Sequence, residues 1–172
     1  NAKIASGTAR VTAFNVKTSF DIISTFVPIG EGAQLIFRGS KSGVVDIALG
    51  LRNGNQLPEF ANSVRATHVD DWAKKGFYSK DIGNFADAFN QVVDKVLNSG
   101  GKIKFDITGL DLEKAASAKG KSLYDKGVGY TDWEFNQVTG NSKLLKSTEF
   151  YKDGKLIKTQ DVLKQAGVKN KK

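Results

Sequence analysis

Residues 84–99 and the stretch that follows them restrict this chain more than any other part. Phe85, Phe89, Val92 and Val96 fall at i, i+4, i+7 and i+11, one apolar stripe on a helix. Asn84 stands where a cap is needed, and Gly100-Gly101 where the helix must stop. The period then changes to two. Ile103, Phe105 and Ile107 point one way, and Lys102, Lys104 and Asp106 the other, as in a half-buried strand with a charged open face. A long amphipathic helix running straight into such a strand requires a helix layer packed on a sheet.

The remaining signals extend that frame. Pro58 suits a first helical turn. Phe60, Val64 and Trp72 recur at multiples of four before Lys74, Lys75 and Gly76, which predicts a helix from 57 to the stop at Gly76. Residues 76–82 are turn-rich and mark the expected boundary between a domain over 1–76 and one over 77–172. The first 55 residues are cut by Gly30, Gly32, Gly39, Gly43, Gly50 and Gly54. Helices are expected there, with 14–27 and 44–51 readable as either helix or strand. Residues 109–130 read as loop. Thr131-Asp132-Trp133-Glu134 reads as a capping box opening a short helix. Residues 144–152 read as a strand, Asp153-Gly154 as a hairpin turn, and Thr159 as the cap of a last helix through Gln165. The expectation is α+β: a helical N-terminal domain, then a small helix-plus-antiparallel-sheet domain.

Charge narrows the partner. The 172 residues carry a net +8. Residues 1–100 hold 11 basic and 9 acidic side chains, a net +2; residues 101–172 hold 15 and 9, a net +6. Every basic residue after Arg65 is lysine. A basic half of this kind favours a polyanion, with nucleic acid ahead of a membrane surface, although a solvated surface would have the same composition. No stretch reaches the roughly 18 to 20 uninterrupted apolar residues of a membrane span. The most apolar run, 20–29, contains Asp21 and Pro28. The chain begins at Asn1 rather than Met, so a piece of a longer protein is expected.

Elimination narrows the chemistry. There is no Cys and one His, His68, which leaves no thiolate catalysis, no Cys-ligated zinc and no two-histidine scheme. His68 reads as a surface or satisfied helix histidine. The phosphate-loop, dinucleotide, zincin and nucleophile-elbow motifs are missing. The acidic residues of the C-terminal half are scattered among lysines, so no metal site and no cofactor are expected, with a magnesium site of Asp and Glu alone left as the alternative. Lys, Asp, Thr, Ser, Tyr and Trp remain. Metal-independent RNA cleavage suits that set, because the 2′-hydroxyl is an internal nucleophile. The protein then supplies a cation for the phosphorane, groups that move protons, and a platform for an unstacked base. The expected catalytic residues are Asp111, Trp133, Thr148 and Lys152, with Lys102, Lys104, Lys146 and Ser147 binding RNA. Lys146, Thr148, Phe150 and Lys152 would share one strand face, Lys146 about 6 to 7 Å from Thr148 along the backbone. The competing readings are an ordinary amphipathic strand, a core tryptophan and a loop carboxylate; Asp106 competes with Asp111.

The runs GKIKFDITGL over 101–110, TDWEF over 131–135 and LLKSTEFYKDGK over 144–155 resemble the C-terminal toxin domains of bacterial polymorphic toxins, in particular the contact-dependent growth inhibition (CdiA-type) effectors. The resemblance covers 84–160. It implies a barnase/EndoU/colicin/RelE-like fold with a metal-independent RNase site, often directed at tRNA. It also implies delivery by a larger secreted or surface effector into the cytoplasm of a target bacterium. A cognate immunity protein follows, expected to be acidic against a +6 domain. Residues 1–76 would be a cytoplasm-entry domain using an inner-membrane protein of the target cell. Relatives such as barnase rely on His, and none occurs after His68, so Lys and Asp would carry the proton transfers. The rival expectations are a non-enzymatic RNA-binding module, a membrane-active toxin using 20–29, and last a DNase; DNA is not the expected partner.

Overall fold

The structure, a computed structural model, describes residues 43–169. All but the first two of these belong to one compact unit, which starts at Val45. The readings made for 1–42 lie outside the described residues. Among the described residues four strands and seven helices follow in the order β1 (Ile47–Gly50), α1 (Gln56–Ser63), α2 (Val69–Trp72), α3 (Phe85–Ser99), β2 (Ile103–Asp106), α4 (Leu112–Ser117), α5 (Tyr130–Thr139), α6 (Ser142–Lys146), β3 (Thr148–Lys152), β4 (Lys155–Ile157) and α7 (Thr159–Gln165).

The unit is mixed α and β around one sheet, in the order β1-β2-β3-β4. The sheet is not the antiparallel one expected. β1 pairs parallel with β2 and β2 parallel with β3; only β3 and β4 run antiparallel. Helices separate the first three strands, so the chain returns to the same end before each next strand. The predicted hairpin joins β3 to β4. Asp153 (φ 51°) and Gly154 (φ 77°) both adopt positive φ, as a type I′ turn demands.

The expected boundary at 76/77 falls inside this unit. β1 is an edge of the sheet, and Ile47, Leu49 and Trp72 share a core with Phe89, Phe105 and Phe150. Gly101 makes the entry of β1 possible, since a Cβ there would lie 1.8 Å from the Val45 carbonyl oxygen. The sheet is covered on both faces. Ile47, Leu49, Ile103, Phe105 and Phe150 pack against Val92 and Val96 of α3, Phe135 and Val138 of α5 and Val162 of α7. On the other face α1 lays Leu57, Phe60 and Ala61 on Ala48, with Phe60 edge-on to Tyr151 at 5.3 Å.

Helix α3 forms as its stripe predicts. Asn84 accepts from the Asp87 N–H, and Gly100 takes a left-handed φ of 74°. Other expectations are corrected. The helix expected from Leu57 to the Gly76 stop is two pieces. Arg65 turns at φ 56° so that Thr67 can bridge to Ile47 at the edge of β1. The 109–130 loop contains α4, capped by Asp111. The 144–152 strand is α6, capped by Asn141, followed by β3. The capping box does not form. Gly129 precedes α5, and the Thr131 hydroxyl donates to the Gly50 carbonyl. Lys158, not Thr159, is the cap position of α7, and no side chain bonds there.

Candidate functional site at the carboxyl edge of the sheet

The sequence-predicted residues separate between the two ends of the sheet. Register pairs Ile103 with Thr148 and Asp106 with Tyr151. Lys102, Lys146 and Ser147 therefore lie at the amino ends of the strands, and Lys152 and Asp111 at the carboxyl ends. β3 alone spans about 13 Å. Lys146 closes α6 and Ser147 follows it, so the expected strand face carrying Lys146, Thr148 and Lys152 does not exist. Thr148 is buried, and its hydroxyl donates to the Leu144 carbonyl at 2.7 Å. Trp133 is 7% exposed and edge-on to Phe89 at 5.1 Å, in the core. Asp111 is exposed and accepts from the Lys114 N–H at 2.9 Å. Asp106 is buried and accepts from both the N–H and the hydroxyl of Thr108. His68 precedes α2, its Nε2 3.6 Å from Asp71.

Lys102 and Lys104 keep their place on the opposite face, but not their freedom. Glu149 receives Lys102 at 3.2 Å, Lys104 at 3.4 Å and the Tyr151 hydroxyl at 3.0 Å. Burial and the Glu149 bond push the Tyr151 phenol up to about 12. Partial burial raises the Glu149 carboxyl, but the Tyr151 hydroxyl and the two ammonium groups outweigh it and hold the group below its usual range.

A different group converges at the carboxyl edge. The chain leaves β1 at Gly50, and the Thr131 hydroxyl clamps the start of α5 to that carbonyl. Glu134 thereby faces Arg52, with Oε2 2.6 Å from Nη2. Glu134 is fully buried and its Oε1 has no hydrogen-bond partner. Burial raises its pKa from 4.5 to about 7, against the pull of Arg52. The Arg52 guanidinium lies 5.8 Å from the centre of the Phe85 ring and 5.6 Å from that of Tyr130, within cation–π range of both. The Arg52 side chain keeps 30% of its surface open, and Tyr130 keeps 50%. Nearby, Lys114 donates to Asp132 at 2.8 Å, a bond that raises the lysine above its ordinary pKa. The Thr108 hydroxyl accepts from the Asp153 N–H at 2.7 Å, tying the hairpin to the end of β2.

Carboxyl ends of parallel strands are the usual ligand edge of such sheets. Here that edge offers an outward cation of fixed orientation, an exposed aromatic ring and a carboxyl that titrates near neutrality. Arg52 belongs to no sequence motif, and Glu134 stands in the sequence only as part of a capping box. One signal pointed to Arg52: arginine is chosen over lysine where a planar, stacked cation is needed, and Arg52 is one of only two arginines among the described residues. Among the described residues no three His, Cys, Asp or Glu side chains gather as a metal-binding group, and no helix is long and apolar enough to cross a membrane. Compared with protein-family models, curated proteins and solved structures, the chain gave no match.

Proposed function

We propose that this chain is the toxin portion of a contact-dependent growth inhibition effector and cuts RNA, with tRNA as its substrate, without a metal. One observation carries the reading. Arg52, partly open to solvent, is held by the buried carboxyl of Glu134 beside the exposed ring of Tyr130. Cleavage by 2′-hydroxyl attack needs an oriented cation for the phosphorane and groups that move protons near neutral pH. In this reading Arg52 contacts the scissile phosphate, and Tyr130 stacks on an unpaired base. Glu134, shut off from solvent, is a positioning residue that orients Arg52. Asp111 accepts the 2′-hydroxyl proton and Lys152 protonates the leaving oxygen. Trp133 and Thr148 touch no substrate. The residues before Val45 serve entry through an inner-membrane protein of the target cell. An acidic immunity protein protects the producer, its association speeded by opposite charge.

The test incubates the full chain with total tRNA, with and without chelator, and sequences the RNA ends. Cleavage should persist with chelator, and Arg52→Ala should lower its rate about 100-fold or more. Binding without cleavage would leave a non-enzymatic RNA-binding module. Full cleavage by Arg52→Ala would remove this site.

A further inference from the structure

The lysines that give this chain its positive excess are not equally free. Lys102 and Lys104 face Glu149, Lys114 faces Asp132, and Lys74 faces Asp71. Lys119, Lys121 and Lys169 are among the lysines with no carboxylate partner among the described residues. These three border one feature. A cavity of about 830 Å³ lies between α3, α5 and α6, with Lys119, Lys121, Asn90, Asp94 and Gln137 on its walls. A second, of about 490 Å³, carries Thr139, Val168 and Lys169. Lys119, Asn136 and Gly140 border both, so the two hollows adjoin at the C-terminal end of α5 as a groove in two parts.

The lining has the chemistry of an unpaired strand's complement. The carboxamides of Asn90 and Gln137 hold no partner among the described residues. Each offers donors and an acceptor, as base edges require. Asn136 spends its amino group on the Ala115 and Asp132 carbonyls at 2.6 and 2.9 Å, and its oxygen has no donor among the described residues. Leu97, half-buried over the core residues Val93 and Leu144, gives apolar surface for a base to rest on. Asp94 is the one carboxylate among the lining residues. Ammonium groups on the rim, free amides and apolar patches between them match a chain with a phosphate at every step and an unpaired base beside it. A duplex would present the phosphates but not the base edges.

We infer that this groove binds a single-stranded segment of RNA, apart from the Arg52–Glu134 edge and at the other end of α5. Gly140 lies about 9 Å along the helix axis beyond Glu134. The inference rests on the part of that reading that makes RNA the ligand of this chain. The groove would hold the strand on the far side of α5 from the reacting phosphate.

The test measures binding of the full chain to a fluorescent 2′-O-methyl oligouridylate, which cannot be cleaved, over a salt series. The double variant Lys119→Gln/Lys121→Gln should bind about tenfold more weakly. Its log–log salt slope should be shallower by about 1.4. Lys80→Gln/Lys164→Gln removes the same net charge elsewhere and should change affinity less than about twofold. Asn90→Ala/Gln137→Ala should weaken binding with the salt slope unchanged. Equal loss in the two lysine pairs would overturn the groove. So would tighter binding of duplex than of single strand, or binding of polyglutamate but not of RNA. A chain that binds this strand through Lys119 and Lys121 yet leaves tRNA uncut would refute the nuclease reading and keep the groove.

Discussion

Replacing Glu134 with Gln isolates one buried titration. The folded pKa of Glu134 is about 7, against 4.5 in the unfolded chain. The folded state therefore binds the proton more tightly than the unfolded state does. Stability from this group is fully present below pH 4.5 and is lost as the pH rises to about 7. Two and a half pH units at 1.36 kcal/mol each give a loss of about 3 kcal/mol across that window. Glutamine keeps the oxygen that accepts from Arg52 but cannot ionise. Denaturant unfolding of the two full-length proteins at each end of the window gives the comparison. The stability of the parent minus that of Glu134→Gln should fall by about 3 kcal/mol from the acid end to the neutral end. Parallel pH profiles would refute the reasoning. They would mean that Glu134 is ionised throughout or reaches water when folded, and that Arg52 is not held by a neutral-range carboxyl.

Three further substitutions test the placements that differ from the sequence expectation. Thr148→Val removes the bond to the Leu144 carbonyl. It should cost about 1 kcal/mol of unfolding free energy and leave tRNA cleavage unchanged, because the hydroxyl faces α6. Trp133→Ala empties a core site against Phe85 and Phe89 and should cost about 3 to 5 kcal/mol, whereas Trp133→Phe should keep both fold and cleavage. Gly101→Ala puts a methyl group against the Val45 carbonyl and should lower the thermal midpoint steeply, while Gly83→Ala, with open space around it, should not.

The sequence carried the fold where one local rule was enough. The stripe of α3, the Asn84 cap and the Gly100 stop are all short-range, and the same is true of the Asp153-Gly154 turn. It failed where two elements had to be seen together. Nothing within 44–51 says strand until β2 is there to pair with it, and β2 lies more than fifty residues on. The helix expected from Leu57 breaks at Arg65 because Thr67 is needed at the edge of β1, a demand that periodicity does not record. Parallel pairing was missed for the same reason: a hairpin announces itself in two residues, and a crossover does not.

The site was harder still, because residue type does not report pairing. Lys102 and Lys104 were expected to meet RNA since they alternate outward on a strand. Glu149, at the matching level of β3, takes both. Lys119 and Lys121 lay in a segment read as loop, and no motif singled them out. That they border the hollow between α3, α5 and α6, with no carboxylate partner, is visible only in the fold. Glu134 shows the converse. In the sequence it completes a capping box, a surface role with an ordinary pKa. Once the Thr131 hydroxyl binds the Gly50 carbonyl instead, the same carboxyl is carried under Arg52 and out of water. A single hydrogen bond from a threonine thus decides whether Glu134 is a cap or the buried anchor of the candidate site. Thr131→Val should accordingly loosen Arg52 as well as α5. Its tRNA cleavage should fall by more than its loss of unfolding free energy explains. Cleavage that merely tracked stability would mean the clamp acts on the fold alone.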